Sequence, residues 1–443
     1  MLLRTDNRSK TFETSGPKRS AYARRACALS AGVMAPMLAL GLAPGSAVAQ
    51  SAYYFDRNHN VGVLDRPRPD YQPLGIVVGP FTLSPSLNIS PQYDSNIFAA
   101  STNVKSDLIT TVQPGLSFSA SWPRSSLNIS LQSASNFYTQ HSDQNTTNYS
   151  ASVAGQWSIF SASQVSGGLT YSHTTEPRTD EGAIVTRTPV QYDTSGANLG
   201  AVETLNRLQL SEQALVQHYD YSQSSDTVFA LSYLNGDFSA YTLKANYALN
   251  PEISAYVSGQ YNRHDYAAPL SGMPERNSSG YDINVGTSFD LTRLMRGQIG
   301  FGYLSQTYVS PVYKPVNGPS VHINVDYFIT DLTTLGVDVN RAVIDAEDPT
   351  AVSYVQTHGD LRADHELLRN LILSGNVGYE TDTFTGYDRT DHRLNASLSG
   401  SYLLNRNISI SATYTYLDES STGVDRIGGY DVSVVSLGLN LHL

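Results

Sequence analysis

Between Tyr430 and Leu443 the chain alternates. Val435, Leu437, Leu439, Leu441 and Leu443 are interleaved with Val434, Ser436, Gly438, Asn440 and His442. A period of two sends successive side chains to opposite faces of a β-strand, so one face here is apolar to its last residue. Lipid on one side and a polar lumen on the other select for this pattern in the closing strand of an outer-membrane barrel. The competing reading is an edge strand of a soluble sheet.

The same split recurs upstream. Leu127, Ile129 and Leu131 oppose Asn128, Ser130 and Gln132; Tyr241, Leu243, Ala245 and Tyr247 oppose Thr242, Lys244 and Asn246; Ile408, Ile410, Ala412, Tyr414 and Tyr416 oppose Ser409, Ser411, Thr413 and Thr415. From about Thr82 the segments are joined alternately by tight and loose connections. The tight ones fall at residues 122–125, 160–163, 203–206, 249–252, 330–333, 367–370 and 404–407, and read as periplasmic turns. The loose ones, near 94–106, 139–147, 174–190, 264–279, 308–319, 343–353, 382–390 and 418–429, hold most of the Pro, Asp and Arg. Short turns at one end and long loops at the other are the asymmetry of a transmembrane barrel. The prediction is an all-β, antiparallel, up-and-down transmembrane barrel of about 18 strands, with 16 as the alternative because Tyr219 to Gly236 reads equally as loop or strand extension. Glu212 falls on the nominal lipid face of its strand, which predicts a bulge or a shifted register there.

Composition supports strands rather than helices as the spanning elements. No stretch after Ala49 approaches the roughly 20 apolar residues of a transmembrane helix, while Tyr (29) and Gly (33) are abundant. Residues 1–49 read as a secretory signal: Lys18, Arg19, Arg24 and Arg25 precede an apolar run from Ala26 to Leu42, and the small-x-small site at Val48-Ala49 predicts cleavage after Ala49. The single cysteine, Cys27, lies within that segment, so disulfides and thiolate sites are excluded from the mature chain. Residues 1–49 hold seven basic and two acidic residues, which takes the net charge from −11 for the whole chain to −16 for the remainder. Bulk attraction to nucleic acid is excluded on that balance. Residues 50–81, with Asp65-Arg66-Pro67-Arg68-Pro69-Asp70, lack periodicity and read as a proline-rich periplasmic arm, from which any plug would be short; residues 82–443 are the barrel.

The start of the predicted barrel carries a family resemblance. Pro85-Ser86-Leu87-Asn88-Ile89-Ser90, leading to Tyr93-Asp94-Ser95-Asn96-Ile97-Phe98-Ala99, then Ser106-Asp107-Leu108-Ile109-Thr110 and Val112-Gln113-Pro114-Gly115-Leu116, resemble the opening of β-barrel porin type 2 proteins. That resemblance implies a bacterial outer-membrane barrel, with lipid and the barrel-assembly machinery as partners. Such proteins often accompany exopolysaccharide or capsule loci, which implies polysaccharide and periplasmic export proteins as further partners.

Candidate chemistry is sparse. Asp391-His392, His264-Asp265 and Asp364-His365 place acid and imidazole on opposite faces of a strand, where no dyad forms. His358, Asp360, Arg362 and Asp364 share one face, making a charged row on the lumen wall; its alternatives are a selectivity-tuning feature and a set of mutually satisfied charges. Gly-x-Ser-x-Gly is absent, and neither catalytic residues, cofactor nor metal site is expected. Asp94-Ser95-Asn96 reads as an Asx turn in preference to a calcium site, and inward tyrosines such as Tyr256 are candidates for stacking on sugars. Two functions fit: a passive conduit for hydrophilic solutes or secreted exopolysaccharide, and a structural anchor in a polysaccharide-export complex.

Overall fold

The structure is a computed structural model that describes residues 55, 60–160, 162–183, 186–222, 230–267, 269, 272–291, 294–347 and 351–443; the predicted signal segment lies outside them. A short strand β1 (Ile76–Val78) precedes β2 (Phe81–Asp94), β3 (Asp107–Ser121), β4 (Ser125–Tyr138), β5 (Thr146–Phe160) and β6 (Ser163–Thr175). There follow β7 (Gln191–Leu205), β8 (Leu208–Tyr221), β9 (Gly236–Ala248), β10 (Ile253–Tyr266), β11 (Ser278–Leu291) and β12 (Met295–Tyr308). The chain continues through β13 (Val316–Thr330), β14 (Thr333–Asp345), β15 (Ser353–Leu368), β16 (Leu371–Phe384), β17 (Thr390–Leu403), β18 (Ile408–Thr422) and β19 (Tyr430–His442).

Strands β2 to β19 pair each with the next, antiparallel, and β19 pairs back onto β2, closing an 18-stranded barrel. At the closure Leu439 lies opposite Ile89 and Leu441 opposite Leu87, all outward, while inward Asn440 accepts a hydrogen bond from Asn88 at 2.5 Å. Closure leaves no barrel edge unpaired in lipid. Strands of 13 to 16 residues suffice to cross the apolar band when tilted.

The turns show why the chain reverses where it does. Asn250 and Asn405 each open a turn by accepting, through the side-chain oxygen, the backbone N–H groups two and three residues on, at 2.8 to 3.0 Å. Asn206 takes a φ of +55° in the two-residue connection between β7 and β8, a conformation asparagine tolerates better than most residues. One further short connection, between β11 and β12, follows Asp290-Leu291 in a run without Gly, Pro or Asn, so composition did not mark it. Trp122 and Trp157 are exposed near the same end of the barrel, and the Trp122 ring meets Phe81 edge-on at 6.1 Å; this is an interfacial aromatic girdle.

Tyr219 to Gly236 is both strand extension and loop: β8 runs to Tyr221, a 3-10 turn covers Leu231–Leu234, and β9 starts at Gly236. Glu212 corrects the sequence reading. It pairs in unbroken register with Ala201 and Leu243 and is exposed, so the carboxylate stands on the outer face with neither bulge nor slip. Tyr256 faces inward, as the alternation predicts. It is buried, with Lys244 Nζ 4.0 Å above its ring centroid, and its hydroxyl lies where a Cβ on Gly300 would fall. A side chain at that glycine would evict the ring, and the covered face is not free to stack on a sugar.

The arm folds across the end of the barrel that carries the short turns. Asn60 donates to Asp290 at 2.8 Å, the Val63 amide to Thr334 at 3.1 Å and Arg68 to Glu366 at 2.8 Å, while Arg369 and Arg406 donate to the carbonyls of Pro67 and Pro69. Val63 is almost wholly buried there. Proline-rich backbone lacks donors of its own, so the barrel's side chains supply the bonds that hold it.

Candidate lumen constriction

On β15 the inward positions are Tyr354, Gln356, His358, Asp360, Arg362, Asp364 and Glu366. His358, Asp360, Arg362 and Asp364 therefore share one face, and each has a partner. His358 Nε2 bonds to Asp360 and its Nδ1 lies 3.2 Å from Glu380; Asn376 donates to Asp360 at 3.1 Å. Arg362 reaches Asp326 at 2.9 Å and Asp364 at 3.0 Å, and Ser374 donates to Asp364 at 2.6 Å. Asp364 is nearly inaccessible.

Cross-strand register extends that row sideways. His358, Glu380, Arg393 and Glu419 form one tier across β15 to β18, and Gln356, Asp382, Asp391 and Ser421 form the tier above. Arg393 is 3.0 Å from Glu419 and 3.5 Å from Glu380, and Tyr430 donates to Glu419 at 2.7 Å.

The tier is completed from nearly the far side of the ring. The β6–β7 loop, 176–190, makes a tight turn in which the Asp180 amide donates to Pro177 O and the Ala183 amide to Asp180 O, with Gly182 at φ +75°. A left-handed φ suits glycine, and the turn projects Glu181 onto the wall. One Glu181 oxygen lies 2.8 Å from Arg393 and the other 3.3 Å from Arg389, whose Nε donates to Asp391 at 2.7 Å; Arg393 also donates to Thr179 O at 2.8 Å. Arg178 holds the loop from within by donating to Arg187 O and to Gln144 Oε1.

A second bridge lies beside the first. Glu347, in the β14–β15 loop, accepts from Tyr221 at 3.0 Å, and Arg276 donates to the carbonyls of Ala346 and Val352. His264 and Tyr266 reach Asp345 at 2.7 and 2.6 Å. The two loops touch, since a Cβ on Gly182 would lie 3.9 Å from the Glu347 amide. Beneath them Ala346, Ala351, Tyr354 and Phe384 form a small apolar cluster.

Where the loops meet, desolvation and then Glu347 push the Asp180 carboxyl up to about 8; Glu380 adds to the rise and Arg393 opposes it. A carboxyl raised on folding stabilises the docked loop most at low pH, and the contribution is lost as pH climbs from the ordinary carboxylate range through about 8. Loop cleavage by an added protease is expected to accelerate between pH 6 and pH 9.5, and Asp180→Asn to flatten that dependence. A wild-type rate independent of pH would remove Asp180 from the docking account.

Alternation marks Glu380, Asp382, Asp391, Arg393 and Glu419 as inward by the same spacing as the β15 row, yet sequence reasoning singled out only the row within one strand. Asp94-Ser95-Asn96 does form an Asx turn: Asp94 Oδ1 accepts the Asn96 amide at 2.8 Å.

The family model described as "Putative beta-barrel porin 2" matches residues 68–443. Solved structures similar to this one include Pseudomonas aeruginosa OpdK with vanillate, 10% identical over 82% of this chain and 99% of that one with a TM-score of 0.44. OpdL of the same organism is 13% identical over 83% and 99%, with a TM-score of 0.45. The ferric enterobactin receptor PfeA, also from that organism, is 7% identical over 82% and 80%, with a TM-score of 0.44. No curated protein matches the chain.

Proposed function

Because the chain belongs to the beta-barrel porin 2 family and is an outer-membrane protein, we propose that it is a passive conduit for small hydrophilic solutes, narrowed by its own loops and arm. The reading is that of a channel, not an enzyme. Its main support is the inner wall away from the charged tiers, where Gln113, Ser117 and Ser119 of β3, Asn128 and Ser130 of β4 and Ser152 of β5 face inward. Ser117, Ser130 and Ser152 lie side by side in register, a neutral hydrogen-bonding surface suited to hydroxyl-rich solutes such as sugars. His358, Asp360, Arg362 and Asp364 serve in this reading as the charged side of the pore, and their pairing makes the local field modest. Secreted exopolysaccharide is the larger cargo compatible with such a wall, and its passage requires the Glu181 loop and the arm to move.

Single-channel recording in planar bilayers tests the reading. Wild-type protein is expected to conduct weakly, and deletion of residues 60–73 to raise conductance by about two-fold or more, because the narrowest segment dominates the resistance of an aqueous pore. If both proteins fold and neither conducts, the barrel is a closed anchor, and the structural role in a polysaccharide-export complex takes the place of the conduit.

A further inference from the structure

One cation on the outer wall has no anion to answer it. Arg341 alternates with Asn340 and Ala342, which face the lumen opposite His358 and Gln356, so its own side chain stands on the outer face, opposite Thr357 of β15. Nη1 donates to the Thr357 hydroxyl at 2.6 Å, Nε is buried without an acceptor, and among the described residues no carboxylate pairs with the group. The outward positions of the neighbouring strands β13, β15 and β16 hold no Asp or Glu. Asp345, at the end of the same strand, is occupied by His264 and Tyr266.

Position makes the missing partner matter. β14 leaves its short turn at Thr333 and enters the β14–β15 loop after Asp345, so Arg341 lies toward the long-loop end, between outward Val339 and Val343. In outer-membrane barrels the long loops are extracellular, and a charge on the lipid face is tolerated only near the headgroups. Register extends a polar row from it: Thr357 lies opposite Thr381, Thr381 opposite His392 and His392 opposite Ser420. The next outward row toward the short turns is Val339, Gly359, Tyr379 and Leu394, apolar but for the Tyr379 hydroxyl, which bonds to His392 Nδ1 at 3.0 Å. Three strand spacings of about 4.8 Å place His392 about 14 Å from Arg341. Beyond it stands an outward carboxylate, Asp418, opposite Leu394.

We propose that Arg341, with the hydroxyls of Thr357 and Thr381, binds the phosphorylated headgroup of an outer-leaflet glycolipid. A guanidinium presents five N–H donors in a planar fork that matches phosphate oxygens, and one neutral hydroxyl leaves most of them unused. The row from Thr381 through His392 to Ser420 supplies hydrogen bonds to sugar hydroxyls, over a width that a single glycerophosphate does not fill. Asp418 repels phosphate at the far end of that row, so the phosphate sits over Arg341 and the sugar over the neutral positions.

The experiment is native mass spectrometry of the folded protein in detergent, titrated separately with diphosphoryl lipid A, with the same glycolipid after removal of its phosphates, and with phosphatidylglycerol. Wild-type protein is expected to retain lipid A most tightly and each of the other two at least about ten-fold more weakly, the equivalent of one hydrogen bond to a charged group. Arg341→Gln is expected to weaken lipid A binding by about ten-fold, whereas Arg263→Gln, which removes an outward arginine already paired with Asp265, leaves it unchanged. Thr357→Val, a smaller change, is expected to weaken it about two-fold or more and serves if Arg341→Gln does not fold, as judged by heat-dependent electrophoretic migration. Equal retention of lipid A by wild-type protein and whichever of these two variants folds would overturn the proposal. Equal retention of phosphatidylglycerol and lipid A would overturn it too, by showing that the wall takes any anionic lipid.

Discussion

Replacing Arg393 with Met is expected to release the β6–β7 loop from the wall and raise single-channel conductance several-fold. Arg393 is buried and is the common partner of Glu181, Glu419 and Glu380. Its removal takes the shared cation from three buried carboxylates, which keep Arg389, Tyr430 and His358 as their remaining partners, and losing one member of a buried ion pair costs about 3–5 kcal/mol. A penalty of about 3 kcal/mol shifts the docking equilibrium on the order of 100-fold, enough to turn a seldom-opened bridge into one mostly open. The Glu181→Gln, Arg393→Met double variant should cost less than the sum of the two singles, since each removes the reason for the other's penalty. Wild-type conductance in folded Arg393→Met protein would show that the loop does not limit the pore.

The barrel was legible because lipid on one side and a polar interior on the other impose a period of two that a single strand reveals by itself. Turns were legible where they use dedicated chemistry, as at Asn250 and Asn405, and not between β11 and β12, where the sequence after Leu291 offers no Gly, Pro or Asn. Glu212 ran against the apolar pattern, and a bulge was the expected remedy; the paired neighbours Ala201 and Leu243 keep register, so the charge simply faces outward.

The constriction was only half legible. Alternation within β15 reveals His358, Asp360, Arg362 and Asp364 as one row, because spacing along a strand fixes the face. Whether Glu380 stands beside His358, or Arg393 beside Glu380, depends on register between strands, which loop lengths set and spacing within one strand does not. Glu181 is further removed still. Its contact with Arg389 and Arg393 joins residues more than 200 apart in sequence, through a loop whose Pro, Arg and Asp read only as surface. The arm was similar: low periodicity says nothing of where it lies, yet hydrogen bonds donated by Arg369 and Arg406 to the carbonyls of Pro67 and Pro69 hold it over the mouth.

The lipid face makes the other large expected effect. Leu437 and Leu439 on β19 point outward, paired with Ala412 and Ile410 on β18, whereas Asn440 points inward to Asn88. Leu437 stands near the middle of its strand, so Leu437→Arg should destabilise the membrane-folded barrel by about 2–4 kcal/mol, with a smaller loss for Leu439→Arg nearer the interface at the short-turn end. Asn440→Ser removes one hydrogen bond in a polar setting and should cost about 1 kcal/mol or less. Urea titrations in lipid vesicles, followed by heat-dependent electrophoretic migration, would rank the three. Because Leu437 and Leu439 also lie in the strand that closes on β2, the arginine variants should slow folding as well as weaken the product. Equal midpoints for all three would mean that β19 has no lipid-facing side, and the assignment of inner and outer faces around the whole ring would have to be reversed or abandoned.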